Sequence, residues 1–571
     1  MTIIFNNPAD FAEEQFEGFL DLNSDRLSGV AGGAVAHRGE RAQVAVVIGG
    51  GSGHYPAFCG LVGPGFAAGA VVGNIFTSPS AAQVYSVAKA SEQGEGVILS
   101  FGNYAGDVMN FQIAADRLNR EGIPTRIVLV TDDVASANEQ QQRRGIAGDF
   151  VVFKALGAAA AAGLPLDEVE RIGNAANAAT RTLGVAFSGC TMPGATGPLF
   201  QVPEGHMGVG LGIHGEPGIR DVPLSTADDL AAILVDDLLV HAPSGERKRV
   251  GVIVNGLGTT KYEELFLLWR SIAPRLRDRG FEIVDPEVGE LVTSLDMGGC
   301  SLTLVWLDDE LERMWTADAY TPGYRKQSGP LVGLTAANTG SASEATDVPP
   351  NRSAAGAALA PAILDGLRTL SAVMEEHEDE LGRIDAIAGD GDHGRGMVRG
   401  ASAALAAAES TAAKGAGPGW ILGRAGRAWA AAAGGTSGVL WGAGLEAAGA
   451  SLDDSASTYS AEDAVVASSA FTSAITDLGR ATLGDKTLVD ALLPFVDALE
   501  LKVRNGDSLV EAWSAAAEAA TTAAEATASL SPRLGRARPL AERSIGSPDA
   551  GATSLALIVT ALAVVQKGRD S

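Results

Sequence analysis

The chain has 571 residues, and its 42 Lys and Arg against 69 Asp and Glu give a formal net charge of −27. This acidity argues against a nucleic-acid-binding protein and against docking on an anionic membrane, because both need clustered basic residues. Hydrophobic residues make up 46% of the chain and charged residues 19%, so it can build sizeable cores. Three scattered cysteines exclude a disulfide framework. With no secretory signal or transmembrane-length apolar segment visible, we expect a cytoplasmic protein.

The first part of the chain, residues 1–334, is predicted to form an α/β domain. Short β-branched runs alternate there with helix-like stretches, which is typical of buried strands in α/β layers. The runs are 44–48, 97–101, 127–131, 250–255 and 302–307.

The sequence changes character near residue 340. Residues 335–353 are rich in Ser, Thr, Asn, Ala and Pro without an apolar period, which predicts a linker. Residues 354–571 are rich in Ala and other strong helix formers, with recurring Leu, Ile and Val. We therefore predict an all-α domain of about eight packed helices.

A glycine cluster follows the first predicted strand. Gly49, Gly50, Gly51 and Gly53 allow close approach of the backbone to a ligand, and His54 closes the loop. A tight structural turn is the alternative interpretation.

Two further candidates follow apolar runs in the same domain. Asp107 lies after the second predicted strand, at the carboxyl end where open α/β sheets bind ligands. A helix N-cap is the competing interpretation of this residue. His214 is flanked by glycines, which leave its imidazole uncrowded and suit a nucleophilic nitrogen.

An acidic cluster marks the helical part of the chain. Asp385, Asp390 and Asp392 are separated by glycines and offer only oxygen ligands, which suits Mg²⁺ shared with nucleotide phosphates. A solvated acidic loop is the alternative. Gly-rich turns at 434–438, 484–487 and 545–551 follow it between predicted helices.

Together these motifs resemble the dihydroxyacetone kinase family. GGGSGHYPAF, NYAGDVMNF, RRGIAGDFVVFKALGAAA and GIHGEPGI are similar to its substrate-binding domain, and the acidic cluster with the later turns is similar to its nucleotide domain. The resemblance covers nearly the whole chain, in the domain order of the single-chain, ATP-dependent enzymes. It implies an α/β ketose-binding domain followed by an all-α helical barrel that holds ATP.

The resemblance also assigns roles in the first domain. It implies that His214 adds to the ketone carbonyl and holds the substrate as a covalent hemiaminal. His54 and Asp107 would lie beside the reacting hydroxyl, with Asp107 as general base. The remaining substrate-binding residues that it implies are Gly51, Ser52, Gly53 and Gly102.

In the second domain the resemblance implies that the three carboxylates bind two Mg²⁺ on the ATP phosphates, and it favours a homodimer. The residues implied to surround the nucleotide are His393, Gly394, Arg395, Gly396, Thr436, Ser437, Gly484, Arg536, Asp549, Ala550 and Gly551.

The chain departs from the family pattern near the substrate. Members that phosphorylate dihydroxyacetone usually have Lys-Asn-Tyr-Thr-Gly-Asp where this chain has Gly102 and Ala105, and Tyr55 replaces the Glu of Gly-His-Glu-Pro. Unless another side chain refills it, the space freed at Gly102 admits the extra carbon of a four-carbon ketose. We therefore predict a kinase for D- or L-erythrulose, with dihydroxyacetone next.

Three other functions remain open at this stage: dihydroxyacetone kinase proper, a flavin-nucleotide cyclase, and a non-catalytic sugar sensor. A non-catalytic sensor would not need the aspartates that bind metal, so the presence of Asp385, Asp390 and Asp392 favours catalysis.

Overall fold

The structure is a computed structural model that describes residues 2–39, 41–245, 247–327, 349, 351–433, 435–534 and 541–569. The chain divides into two compact units, Met1–Ala336 and Ala337–Ser571, here called the α/β unit and the helical unit. Most of the predicted linker lies outside the described residues, so the boundaries 1–334, 335–353 and 354–571 stay predictions.

The α/β unit alternates strands and helices. Its described strands are β1 (Leu27–Val30), β2 (Gly33–Ala36), β3 (Ala45–Ser52), β4 (Gly69–Ile75), β5 (Val97–Gly102), β6 (Thr125–Val130), β7 (Thr180–Ser188), β8 (His206–Val209), β9 (Arg220–Pro223), β10 (Arg249–Gly256), β11 (Glu282–Ile283), β12 (Glu287–Gly289), β13 (Gly298–Leu307), β14 (Ala319–Tyr320) and β15 (Arg325–Lys326). Its described helices are α1 (Phe11–Leu22), α2 (Ala81–Ser91), α3 (Ala105–Arg120), α4 (Gly148–Ala161), α5 (Leu166–Ala178), α6 (Ala227–Leu239), α7 (Tyr262–Asp278) and α8 (Asp309–Thr316).

The first sheet has the order β1-β2-β4-β3-β5-β6, and the four strands from β4 to β6 in this order are parallel. Side chains along β3 alternate between two cores, with Val46 and Ile48 in one and Ala45 and Val47 in the other. Both faces of this strand are therefore buried, which explains why its sequence is continuously apolar.

The second sheet has the order β11-β10-β13-β7-β8-β9, and its long strands β10, β13 and β7 pair antiparallel. All five predicted strand runs coincide with observed strands, namely β3, β5, β6, β10 and β13. Strand β10 is also covered on both faces, with Ile253 in one core and Val252 and Val254 in another. Its apolar run therefore carries no sign of whether its partners are parallel or antiparallel.

The helical unit forms a closed barrel. Its described helices are α9 (Ala354–Glu376), α10 (Glu378–Asp385), α11 (His393–Ala413), α12 (Pro418–Ala433), α13 (Gly435–Ala450), α14 (Ala461–Gly479), α15 (Val489–Arg504), α16 (Leu509–Ala526), α17 (Ala541–Ser544) and α18 (Ala550–Arg569). Eight of these have 16 residues or more, and each packs on the next around a ring that α18 closes against α9. The prediction of an all-α helical barrel is confirmed.

Small residues bring neighbouring helices of the barrel close together. A Cβ on Gly419 of α12 would lie 2.6 Å from the carbonyl oxygen of Gly449 on α13. The barrel also contains an apolar cavity of about 670 Å³. By length and composition α9 could cross a membrane, yet Leu367, Leu370 and Met374 of this helix are buried in the barrel core.

Candidate active site

His54 is buried just beyond the end of β3, with 3% of its surface exposed. Its Nδ1 lies 2.7 Å from the carbonyl oxygen of Thr293. Because a carbonyl only accepts, Nδ1 carries the proton and Nε2 presents a lone pair. Burial, together with the charge of His214, lowers the pKa of His54 to about 3. The imidazole of His54 is therefore neutral at physiological pH.

His214 lies in the loop between β8 and β9 and meets His54 directly. The Nε2 atoms of the two imidazoles are 3.0 Å apart. The Nδ1 of His214 is 3.2 Å from Glu216 Oε1, and its backbone N–H donates to Glu216 Oε2 at 3.0 Å. The rings of Phe76 and Tyr104 approach the imidazole edge-on, each with a centroid distance of 5.0 Å. Glu216 and these rings fix the orientation of the His214 imidazole.

Glu216 is held in its charged form by its neighbours. Burial raises the pKa of Glu216, but the hydrogen bond and charge of His214 and the charge of Arg144 lower it to about 2. Arg144 lies 3.5 Å from this carboxylate and is itself anchored to the buried Asp133 at 2.8 Å. A carboxylate facing Nδ1 keeps a proton on that nitrogen, so Nε2 is the ring atom that can act as the nucleophile once its own proton has left.

Asp107 lies in the first turn of α3, close enough to His214 for their charges to interact. The N-cap of this helix is Tyr104, so the N-cap interpretation of Asp107 is wrong. The Oδ1 atom of Asp107 is buried and has no hydrogen-bond partner in the part of the chain that the structure describes. Burial raises the pKa of Asp107 to about 6, although a hydrogen bond with Ser78 and the charge of His214 oppose the shift. An unpartnered carboxylate oxygen with a raised pKa suits a general base.

The space beside Gly102 is partly occupied. A Cβ on Gly102 would lie 3.1 Å from the Tyr104 ring and 3.2 Å from the carbonyl oxygen of Gly145. The Tyr104 ring and the Gly145 carbonyl oxygen therefore border the space in which a side chain at position 102 would begin. The same tyrosine stands in the Lys-Asn-Tyr-Thr-Gly-Asp pattern, so it does not refill the volume of the lysine, and the size argument stays a prediction.

The predicted glycine cluster serves mainly to pack the backbone. Cβ atoms on Gly51 and Gly53 would collide with the backbone and the ring of Phe76, respectively. The Ser52 hydroxyl donates to the carbonyl oxygen of Gly73 at 2.6 Å. These contacts hold the loop that carries His54.

The segment 293–295 holds the loops that carry His54 and His214. Thr293 accepts from His54, and the hydroxyl of the next residue, Ser294, donates to the carbonyl oxygen of Ile213. Leu295 donates its N–H to the carbonyl oxygen of Gly53 at 2.8 Å. The structure thus brings His54, Asp107 and His214 into one site of the α/β unit. The sequence analysis did not identify Thr293, Phe76 or Glu216 as residues of this site. Of the three, only Glu216 could have been found from the sequence, because it lies two residues after His214 in the same motif.

The predicted metal ligands of the helical unit also come together. One carboxylate oxygen from each of Asp385, Asp390 and Asp392 lies within 4.8 Å of the others. Asp385 Oδ2 accepts from the N–H groups of Gly391 and Asp392 at 2.8 and 3.1 Å, which holds the loop around it. Three converging oxygen donors of this kind fit Mg²⁺.

A cavity of about 370 Å³ adjoins the acidic cluster. The predicted nucleotide residues that line it are His393, Gly396, Thr436, Ser437, Asp549, Ala550 and Gly551. Gly394, Arg395 and Gly484 do not line it. A Cβ on Gly394 would lie 2.0 Å from the carbonyl oxygen of Glu378, so this glycine packs α11 against α10. Arg536 lies outside the described residues.

Several polar side chains are fixed within this cavity. His393 contacts the hydroxyls of Ser554 and Ser437 at 3.0 and 3.4 Å. Lys486, which the sequence analysis did not single out, donates to the carbonyl oxygen of Ser544 at 2.6 Å. Burial raises the pKa of Asp549 to about 6.

Comparison with known proteins defines the family. The Dak1 domain matches residues 17–323 and the DAK2 domain matches residues 387–564. The chain belongs to the dihydroxyacetone kinase family, in its single-chain form with both domains.

Similar proteins include D-erythrulose kinase of Mycolicibacterium smegmatis, 57% identical over 99% of this chain and 98% of that protein. L-erythrulose kinase of Pectobacterium atrosepticum is 53% identical over 99% of this chain and 96% of that protein. Among solved structures, the dihydroxyacetone kinase of C. freundii in complex with AMP-PNP and Mg²⁺ is 29% identical, with a TM-score of 0.59 over 99% of both chains.

Proposed function

We propose that the protein is an ATP-dependent kinase that phosphorylates a terminal hydroxyl of erythrulose, with dihydroxyacetone as a second substrate. The observation that carries this proposal is the meeting of His54, His214 and Asp107 in one buried site. The similarity to kinases of both D- and L-erythrulose supports erythrulose as the substrate.

His214 is proposed to capture the ketone. Its Nε2 lone pair forms a bond to the carbonyl carbon, the π electrons move to the oxygen, and that oxygen takes up a proton, so no group leaves. Glu216 holds the proton on Nδ1 and balances the positive charge that develops on the ring. In the ligand-free protein, Nε2 of His214 donates to the neutral His54, because His54 can only accept there. Capture therefore requires the loss of that proton.

Asp107 is proposed to act as the general base that takes the proton from the reacting hydroxyl. Its Oδ1 has no partner in the described residues, so it can accept that proton. The neutral His54, held by Thr293, keeps an acceptor nitrogen beside the bound sugar. Gly51, Ser52, Gly53 and Gly102 would complete the wall of this site.

The helical unit is proposed to bind ATP. Asp385, Asp390 and Asp392 would hold two Mg²⁺, which neutralise charge on the phosphates when bound. Leu440 and Ile475 line the same cavity and offer an apolar surface that suits a nucleotide base. All the predicted nucleotide residues, Arg395, Gly484 and Arg536 included, stay part of the proposal, as do a homodimer and a cytoplasmic location.

The test is a coupled assay of ADP release with D-erythrulose, L-erythrulose and dihydroxyacetone, with glycerol as the control. We expect kcat/KM to be higher for at least one erythrulose than for dihydroxyacetone, and no turnover of glycerol, which has no carbonyl to capture. A value for dihydroxyacetone tenfold above both erythruloses would overturn the choice of sugar. A parallel reaction with flavin adenine dinucleotide and no ketose tests the cyclase alternative, since human triokinase/FMN cyclase is 31% identical over 98% of this chain.

A further inference from the structure

The motif RRGIAGDF, residues 143–150, contributes an arginine to the surroundings of His214. Arg144 Nη1 lies 3.5 Å from Glu216 Oε2, and the side chains of Arg144 and Glu216 are 15% and 28% exposed. This ion pair connects the loop after β6, in the first sheet, to the loop of the second sheet that carries His214. Because the pair is mostly shielded from water, it is screened much less than an ion pair on the surface.

Asp133 holds the guanidinium of Arg144 from the other side. The Nε and Nη2 atoms of Arg144 donate to Asp133 Oδ2 at 3.1 and 2.8 Å, and the Asp133 side chain is 2% exposed. The backbone fixes the same pair, since the N–H of Asp133 donates to the carbonyl oxygen of Arg144 at 3.1 Å. With two nitrogens fixed by a buried carboxylate, the planar guanidinium presents Nη1 to Glu216 in one orientation.

The two carboxylate oxygens of Glu216 face different partners. Oε2 faces Arg144 and accepts from the backbone N–H of His214 at 3.0 Å, while Oε1 lies 3.2 Å from Nδ1 of His214. Gly212 leaves room for this arrangement, because a Cβ there would collide with Glu216 Oε2 and lie 2.7 Å from Arg144 Nη1. With Oε2 engaged in this way, Oε1 is the oxygen that holds the Nδ1 proton.

Capture of the ketone leaves a positive charge on the His214 ring, because Nε2 is then bonded to carbon while Nδ1 keeps its proton. The imidazole of His54 and the phenol of Tyr104, which also face this ring, are neutral. Asp107 acts on the ring from α3, but it loses its charge when it takes the proton of the reacting hydroxyl. Among the described groups, Glu216 is therefore the carboxylate that balances the ring charge throughout the reaction.

We propose that Arg144, anchored by Asp133, is a positioning residue for covalent capture, which fixes the Glu216 carboxylate so that Oε1 holds the Nδ1 proton of His214. This inference rests on the proposed function, in which the ketone bonds to Nε2. Without the guanidinium, the Glu216 carboxylate can turn toward water, and the captured sugar then lacks a fixed counter-charge. The sugar is held less tightly, while phosphoryl transfer to the sugar that remains captured changes little.

The experiment measures capture directly, by ¹³C NMR of erythrulose labelled at its ketone carbon and mixed with the full chain in the absence of ATP. Bond formation makes that carbon tetrahedral, so a tetrahedral signal that His214→Ala does not give reports the captured sugar. In Arg144→Met we expect this signal to weaken and KM for the ketose to rise by about tenfold or more, with kcat changed less than about threefold. Arg144→Lys keeps the charge without the planar fork and should recover part of the loss.

Arg143→Met is the matched control. Arg143 is the buried neighbour in the same loop, and its guanidinium donates to the carbonyl oxygens of Ala137 and Asn138. This variant should keep both KM and the tetrahedral signal close to those of wild type. Equal losses in Arg143→Met and Arg144→Met would assign the effect to the loop and overturn the inference, as would a loss confined to kcat or no loss in Arg144→Met.

Arg144→Met leaves Asp133 buried without its cation, which can prevent folding. If thermal melting shows that this variant does not fold, the double variant Arg144→Met with Asp133→Asn removes both charges and decides by the same two measurements. A wild-type protein that gives no tetrahedral signal refutes the proposed capture itself and this inference with it, so the two failures are distinguishable.

Discussion

Replacing Asp107 with Asn should abolish most of the activity and at the same time stabilise the α/β unit. Asp107 is 9% exposed and its Oδ1 has no hydrogen-bond partner among the described residues, so its charge is poorly solvated in the folded protein. Asn keeps the shape of the side chain and removes this charge.

The size of the effect follows from the pKa of Asp107, which burial raises from 3.8 to about 6. This difference corresponds to a penalty of about 3 kcal/mol on the folded state once the group is ionised. Because the folded-state pKa is the higher one, the penalty is complete above pH 6, falls to about half at pH 5, and disappears below the unfolded-state value near 4. For a unit of 336 residues, it corresponds to a melting temperature about 4 °C higher in the variant at pH 8.

Differential scanning calorimetry of the full chain at pH 8 and pH 5 measures this shift, and the ADP-release assay measures the loss of kcat, expected at about 10²- to 10⁴-fold. Asp116→Asn is the matched control, because Asp116 is exposed on the same helix and should change neither quantity. A lower melting temperature for Asp107→Asn at pH 8, or a shift that is equal at both pH values, would refute the burial argument.

Four further outcomes test the site. His214→Ala should raise KM for the ketose strongly and leave ATP binding unchanged in a calorimetric titration, and crystals soaked with ketose should show continuous density between Nε2 and the former carbonyl carbon. Glu216→Gln should lower kcat/KM at least tenfold, since the amide cannot hold the Nδ1 proton as the carboxylate does. Asp390→Asn should reduce Mg²⁺-dependent turnover by several orders of magnitude, and retention of more than about a tenth of the activity, a loss under about 1.4 kcal/mol, would exclude a ligand role. In wild type, kcat/KM should rise with pH through about 6, because Asp107 must lose its proton.

The fold could be predicted from the sequence to a large extent. Strand runs such as 97–101 and 250–255 are apolar because both faces of their strands are covered, and this pattern is legible without a structure. The direction of strand pairing cannot be read from the sequence, because a buried strand needs the same side chains whether its neighbours are parallel or antiparallel. The second sheet is therefore mostly antiparallel without any sign of it in the sequence.

The candidate site could likewise be predicted only in part. His54, Asp107 and His214 were found through motifs, because their side chains carry the chemistry. Thr293 contributes only a backbone carbonyl to His54, and any residue type could supply that atom. Spacing alone also could not reveal that the Tyr104 ring lies against Gly102.

The contact between Gly102 and Gly145 makes their substitutions interdependent. A side chain at either position meets the backbone of the other, and Tyr104 or Asp149 lies just beyond. Replacing Gly102 with Lys alone should therefore require Tyr104 or the Gly145 backbone to shift by a few tenths of an ångström. Libraries for changing sugar preference should vary positions 102, 104 and 149 together, since the benefit of a new side chain at one depends on room made at another.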